Sequence, residues 1–136
     1  TYPCFVSTLN KDGNEISGIK MPDISVPLAT HTGWNLRNPQ TGSSEQLISM
    51  IGFSSVFPVS KADRESTNDP RLSIEERYKS KEDYLCKVRE ESDKLANKGY
   101  ILHQDIEVIV KNCSDRYELV VSELRSSARD AVNKQI

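Results

Sequence analysis

Apolar positions recur at helical spacing over the second half of the chain and at extended or irregular spacing over the first. Tyr84, Leu85, Val88, Leu95 and Ala96, with Ser92 in register, fall on one stripe. That stripe predicts an amphipathic helix over residues 80–98, opened by Ser80 with Asp83 three residues on and stopped at Gly99. A shorter helix is expected over residues 104–112, with Ile106, Ile109 and Val110 inward. Ser114 then reads as the cap of a last helix carrying Tyr117, Val120, Val121, Leu124, Ala128, Ala131 and Val132 at helical spacing. Upstream, Ser60 predicts a short capped helix to about Glu65, Asn68-Asp69-Pro70 a turn, and Ser73 with Glu76 a capping box for a short helix reaching Tyr78.

The first half reads differently. Residues 5–9 and 15–19 are β-prone and flank Asn10-Lys11-Asp12-Gly13-Asn14, a hairpin signal because Asp and Gly tolerate positive φ. Residues 24–30 read as extended, with Pro22 and Pro27 confining them to an edge. Residues 37–43 read as a loop, and residues 44–51 as a short helix with Leu47, Ile48 and Ile51 on one side. Gly52 ends it, and residues 53–58 are extended again. The fold class expected is α+β: extended and hairpin segments with long loops over residues 1–59, packed on a helical part of three to five helices over residues 60–136. The two parts are expected to form one domain.

Charge follows the same division. Residues 1–59 hold 7 of the 38 charged side chains and residues 60–98 hold 20, ten of each sign. That mixture predicts a solvated helix face. A formal net charge of −2 leaves no electrostatic footprint for nucleic acid or an anionic membrane. Apolar runs stay far short of the roughly 20 residues of a membrane span. A hydrophobic share of 36% and a mean hydropathy of −0.57 fit a helix-rich domain, an oligomer subunit or part of something larger. The chain opens on Thr1 without an initiator Met, so a processed product or a piece of a longer chain is expected.

Cys4, Cys86 and Cys113 are an odd, widely spaced set, which argues against a disulfide framework or thiolate metal site and mildly favours a reducing, cytoplasmic setting. Cys86 and Cys113 read as buried, inert thiols in helices. Asn112-Cys113-Ser114 matches a glycosylation acceptor only formally, at a helix junction.

The strongest candidate for a binding loop is Thr30-His31-Thr32-Gly33-Trp34-Asn35-Leu36-Arg37, directly after an apolar segment. His31, Thr32, Trp34, Asn35 and Arg37 are its candidate pocket-lining residues. Three have a plainer alternative: Trp34 as a core plug, Arg37 tying the loop to carbonyls or Asp23, His31 held by backbone or lining a surface. The nearest approach to a nucleophile elbow is Gly52-Phe53-Ser54-Ser55-Val56, which lacks the closing Gly and runs into Phe-Pro in place of a helix. His103 reads as a loop or cap residue. No catalytic residue, metal site or cofactor is expected. Arg71, Arg77, Glu75 and Glu76 are expected to fix residues 60–80 by ion pairs and caps.

Many short blocks occur in a recognisable order: Asp12-Gly13-Asn14-Glu15, Gly18-Ile19, Pro22, Val26-Pro27-Leu28-Ala29-Thr30 and Thr32-Gly33-Trp34-Asn35-Leu36-Arg37. Lys61-Ala62-Asp63-Arg64, Asp69-Pro70-Arg71-Leu72-Ser73-Ile74-Glu75-Glu76-Arg77-Tyr78, Tyr84, Gly99-Tyr100-Ile101-Leu102 and Asp105 continue it. Over residues 2–112 the chain resembles the C-terminal region of large bacterial "alpha/beta hydrolase domain" proteins. The resemblance implies a C-terminal segment whose hydrolase core, with nucleophile, acid and catalytic His, lies upstream, and an esterase-like activity for the whole. His31 stands where the family more often has an aromatic residue, usually Tyr, which counts against it as a shared catalytic base. The expected role is structural or pocket-shaping, against the hydrolase core of a longer chain. The alternative is a small self-associating module that binds a ligand or protein. An uncovered apolar face around Trp34, Phe53 and Phe57 is expected.

Overall fold

The computed structural model describes residues 5–133, with side chains as far as Ser122. Cys4, and the side chains of Leu124, Ala128, Ala131 and Val132 on the predicted last stripe, lie outside that range. In chain order the elements are α1 (Pro22–Ser25), β1 (Ala29–Thr32), β2 (Phe53–Val56), α2 (Lys61–Thr67), α3 (Ile74–Arg77), α4 (Lys81–Asn97) and α5 (Ile106–Asn133). Single 3-10 turns occur at Pro39–Thr41 and His103–Asp105. The architecture is α+β: a two-stranded antiparallel sheet on a helical part dominated by the α4–α5 pair.

The capped helices form where the sequence places them. Ser60 and Asp63 build a reciprocal capping box on α2, Ser73 and Glu76 another on α3, and Ser80 accepts from the Asp83 backbone N–H at the start of α4. Each satisfies N–H groups that a helix start otherwise leaves orphaned.

Four local expectations are corrected. The Asn10–Asn14 turn forms, with Asn10 N–H donating to Asn14 O at 2.8 Å, but its arms share only a Leu9–Glu15 bridge. Phe5, Val6 and Ile19 beyond it are exposed, so no second layer favours a longer ladder. In residues 24–30, Pro22 opens a helical turn, because its fixed φ suits a first helical position; extended backbone resumes at Ala29. Residues 44–51 are not helical. Leu36 and Leu47 form an antiparallel bridge flanked by Arg37 N–H to Gln46 O (3.0 Å) and Ile48 N–H to Asn35 O (2.9 Å). A two-turn helix with no core to cover cannot offset its nucleation cost, so residues 33–52 fold back on themselves as an arm between β1 and β2. Lastly, the two helices expected around Asn112 are one. Ile106, Ile109, Val110, Cys113, Tyr117 and Val120 make an unbroken stripe, and Ser114 lies inside the helix.

The core sits where the strands meet α3, α4 and α5. Phe57 and Val88 are fully buried, with Ile74 and Tyr84 nearly so. Tyr84 links three elements, packing edge-on against Tyr78 at 5.0 Å and stacking on Tyr117 at 5.3 Å. Burying a Phe of this kind contributes roughly 1.5–3 kcal/mol. Phe57 is therefore part of the core, not of the uncovered face; Trp34 and Phe53 do remain about half exposed.

Polar residues lock the sheet to the helices. Asp12 receives both Arg77 guanidinium nitrogens, one at 2.9 Å, and the Arg77 guanidinium lies 4.2 Å from the Phe57 ring centroid. Arg71 is over the same ring at 5.2 Å and donates to Thr30 Oγ1 (2.8 Å) and Ser55 O (3.0 Å), while Asp69 holds its other edge. Tyr78 donates its hydroxyl to Pro27 O at 2.9 Å. Glu76 joins Arg64 to the Ser73 cap, so the expected bracing of residues 60–80 by ion pairs and caps is present. Gly13 is required twice over: its φ is +77°, and a Cβ there would stand 2.8 Å from Thr30 Cγ2.

Candidate functional site

Asn14 determines how His31 is presented. Fully buried, it donates from Nδ2 to Ala29 O at 2.9 Å and accepts from His31 N–H at 2.7 Å through Oδ1. The backbone polar groups of residues 29 and 31 therefore point away from β2, whereas Leu28 O faces it and accepts from Phe57 N–H. By the alternation of an antiparallel ladder, His31 opposite Ser54 is a non-hydrogen-bonded pair, the position where facing side chains come closest. The side chains do meet: His31 Nδ1 lies 2.8 Å from Ser54 Oγ.

That pair lies on a cleft of about 630 Å³ between the sheet, α1 and α5. Its walls are mainly apolar: Ile24, Leu28, Val56, Tyr84, Leu119 and Val120. The remaining polar lining is Asp23 and Arg116, which form an ion pair with each other. Burial of the imidazole pushes the His31 pKa below its ordinary 6.5, so the ring is neutral near neutral pH.

Of the five candidate pocket-lining residues, only His31 lines this cleft. Thr32 turns its hydroxyl to Trp34 O at 2.6 Å. Trp34 is 54% exposed on the arm, so it does not plug the core. Asn35 and Arg37 sit on the fold-back ladder, where Arg37 reaches Gln46 Oε1 at 3.4 Å. Arg37 does not hold Asp23, whose partner is Arg116. Ser54 carries the Gly-x-Ser signal but is mid-strand, with no elbow. Arg116 escaped notice because only the unbroken α5 brings it to α1.

Cys113 is buried, and burial raises its thiol pKa, but Cys86 is exposed on α4, correcting its expected burial. His103 is the exposed first residue of a 3-10 turn ahead of α5. Among the described residues no three His, Cys, Asp or Glu side chains converge as a metal set, and no helix is long and apolar enough to cross a membrane.

The family model described as "Alpha/beta hydrolase domain" matches residues 6–111, and the chain belongs to that family. No curated protein and no solved structure matches the chain. Arg116, Leu119 and Val120, one wall of the cleft, lie beyond the matched residues.

Proposed function

We propose that this chain is a pocket-shaping segment of an alpha/beta-hydrolase-like protein, working against the hydrolase core of a longer chain and holding no complete catalytic set of its own. One observation carries the reading: Ser54 and His31 meet as a cross-strand pair on a ladder. A hydrolase serine needs a strained turn that exposes it and backbone N–H groups aimed at the developing oxyanion. Here the alternation of the ladder turns the Ser55 N–H inward toward Thr30, where it cannot serve an oxyanion at Ser54. Residues 1–59 and 60–136 act as one unit, supported by the Asp12–Arg77 and Pro27–Tyr78 contacts between them.

The test is hydrolysis of p-nitrophenyl acetate and butyrate by the purified chain. Rates equal to those of the Ser54→Ala variant are expected; a rate lost in that variant overturns the reading. A second reading, a self-associating binding module, is favoured by the exposure of Trp34, Leu36, Leu47 and Met50 on the arm. Light scattering separates the two, since a stable dimer of the chain alone supports the module.

A further inference from the structure

We propose that the cleft between β1–β2 and α5 binds a neutral, mainly aliphatic small molecule bearing one hydroxyl or carbonyl oxygen, held at the His31–Ser54 pair. The inference rests on the pocket-shaping role above and names the ligand class of that site. Its volume of about 630 Å³ falls in the range of small-molecule sites, and its walls are apolar on three elements.

The polar inventory narrows the ligand. A neutral imidazole has one N–H and a serine one O–H, and one of these two donors is spent in the mutual contact. Whichever tautomer is present, one donor and at least one acceptor remain. A ligand hydroxyl uses both; an ester or ketone carbonyl uses the donor. Charge disfavours the alternatives. Asp23 and Arg116 cancel, and His31 is neutral, so the cleft offers no net charge to repay desolvation of a carboxylate or an ammonium group.

Leu119, 54% exposed on the α5 wall, and the exposed Ser54 supply variants that leave the core untouched. The experiment titrates the full chain, labelled for amide NMR, with hexanol, methyl hexanoate, hexanoate and hexylamine. Saturable shifts from hexanol and methyl hexanoate are expected at Ala29, His31, Ser54 and Leu119. The anion and the amine should bind at least about tenfold more weakly. Leu119→Trp should abolish the shifts by filling the cleft. Ser54→Ala should weaken hexanol, and in a parallel titration leave hexane, which has no oxygen to place, less affected. Hexanoate or hexylamine binding as tightly as hexanol overturns the proposal, as do shifts centred on the Trp34 arm or no saturable shift from any probe. Those failures leave the non-catalytic reading standing. Ester hydrolysis dependent on Ser54 sinks that reading while leaving the binding result intact.

Discussion

Asn14 stands beside His31 in place of a third strand: its amide accepts from the His31 N–H at 2.7 Å and donates to the Ala29 carbonyl at 2.9 Å. A side chain fifteen residues upstream thus closes the outer edge of β1 and sets which ladder positions face β2. The bond to Ala29 is buried and the one from His31 partly so, and Asn14 itself is fully buried. Asn14→Ala leaves a buried donor and a buried acceptor without partners, and a loss of about 2–4 kcal/mol is expected. Asn14→Asp is no rescue, because a carboxylate cannot donate to Ala29 O and would be buried without a cation. Urea unfolding of the two variants against the parent checks the pair; a cost under about 1 kcal/mol for both would show that the edge is not held this way.

Arg77 is fixed from two sides, by Asp12 and by the face of Phe57. Lysine keeps the charge but loses the paired donors and the planar stacking. Arg77→Lys should cost about 1–3 kcal/mol in thermal or urea unfolding. The same contact makes stability depend on acid. The Arg77 hydrogen bonds hold the Asp12 carboxyl below its ordinary 3.8, and the Ser73 backbone N–H with Arg64 holds Glu76 down at about 2, against an ordinary 4.5. Their stabilisation is complete above pH 4.5 and is lost as the pH falls through those lowered values. The urea midpoint should therefore drop between pH 4.5 and about 2, and Glu76→Gln should flatten that drop.

Much of this was legible in the sequence because it is local. The Ser60, Ser73 and Ser80 caps carry their acidic partner three residues on, and the α4 stripe repeats for four turns. The Asn10–Asn14 turn and β2 are likewise short-range signals. The site was not legible, because it depends on register. His31 and Ser54 are 23 residues apart and meet only because Asn14 fixes which side of β1 faces β2. The apolar spacing of Leu47, Ile48 and Ile51 looks helical, but spacing alone does not reveal that no core lies beneath it. Trp34 misled for a related reason: its size suggests burial, yet it sits on an arm that the core never reaches.

The His31 ring offers a direct reading of cleft polarity. Desolvation is what lowers its pKa, so the shift should respond to wall residues that never touch it. The imidazole carbon protons should titrate with a midpoint below 6.5. Leu119→Ala, which opens the α5 wall to water, should move that midpoint up toward 6.5. Because the folded value is the depressed one, the contribution to stability is present above 6.5 and lost as the pH falls through the folded value. A midpoint at or above 6.5 in the parent chain would mean that the ring is solvated and the cleft open.

Serine at three positions separates a true cap from a serine in a helix interior. Ser73 is fully buried and accepts from the Glu76 N–H while Glu76 returns to its own N–H and hydroxyl. Ser73→Ala should cost about 1–2 kcal/mol, and the more exposed Ser60→Ala about 0.5–1 kcal/mol. Ser114 reads as a cap in sequence too, but Tyr117, not an acidic residue, stands three on, and it follows Cys113, which is already buried in the α5 stripe. Inside a helix, serine competes for backbone groups and alanine does not. Ser114→Ala should be neutral or stabilising by up to about 0.5 kcal/mol. Hydrogen exchange gives the independent check: the amides of Cys113, Ser114 and Asp115 should be protected like those on either side. Fast exchange confined to those three would restore a helix boundary there, and with it the loss of Arg116 and Leu119 from the cleft wall.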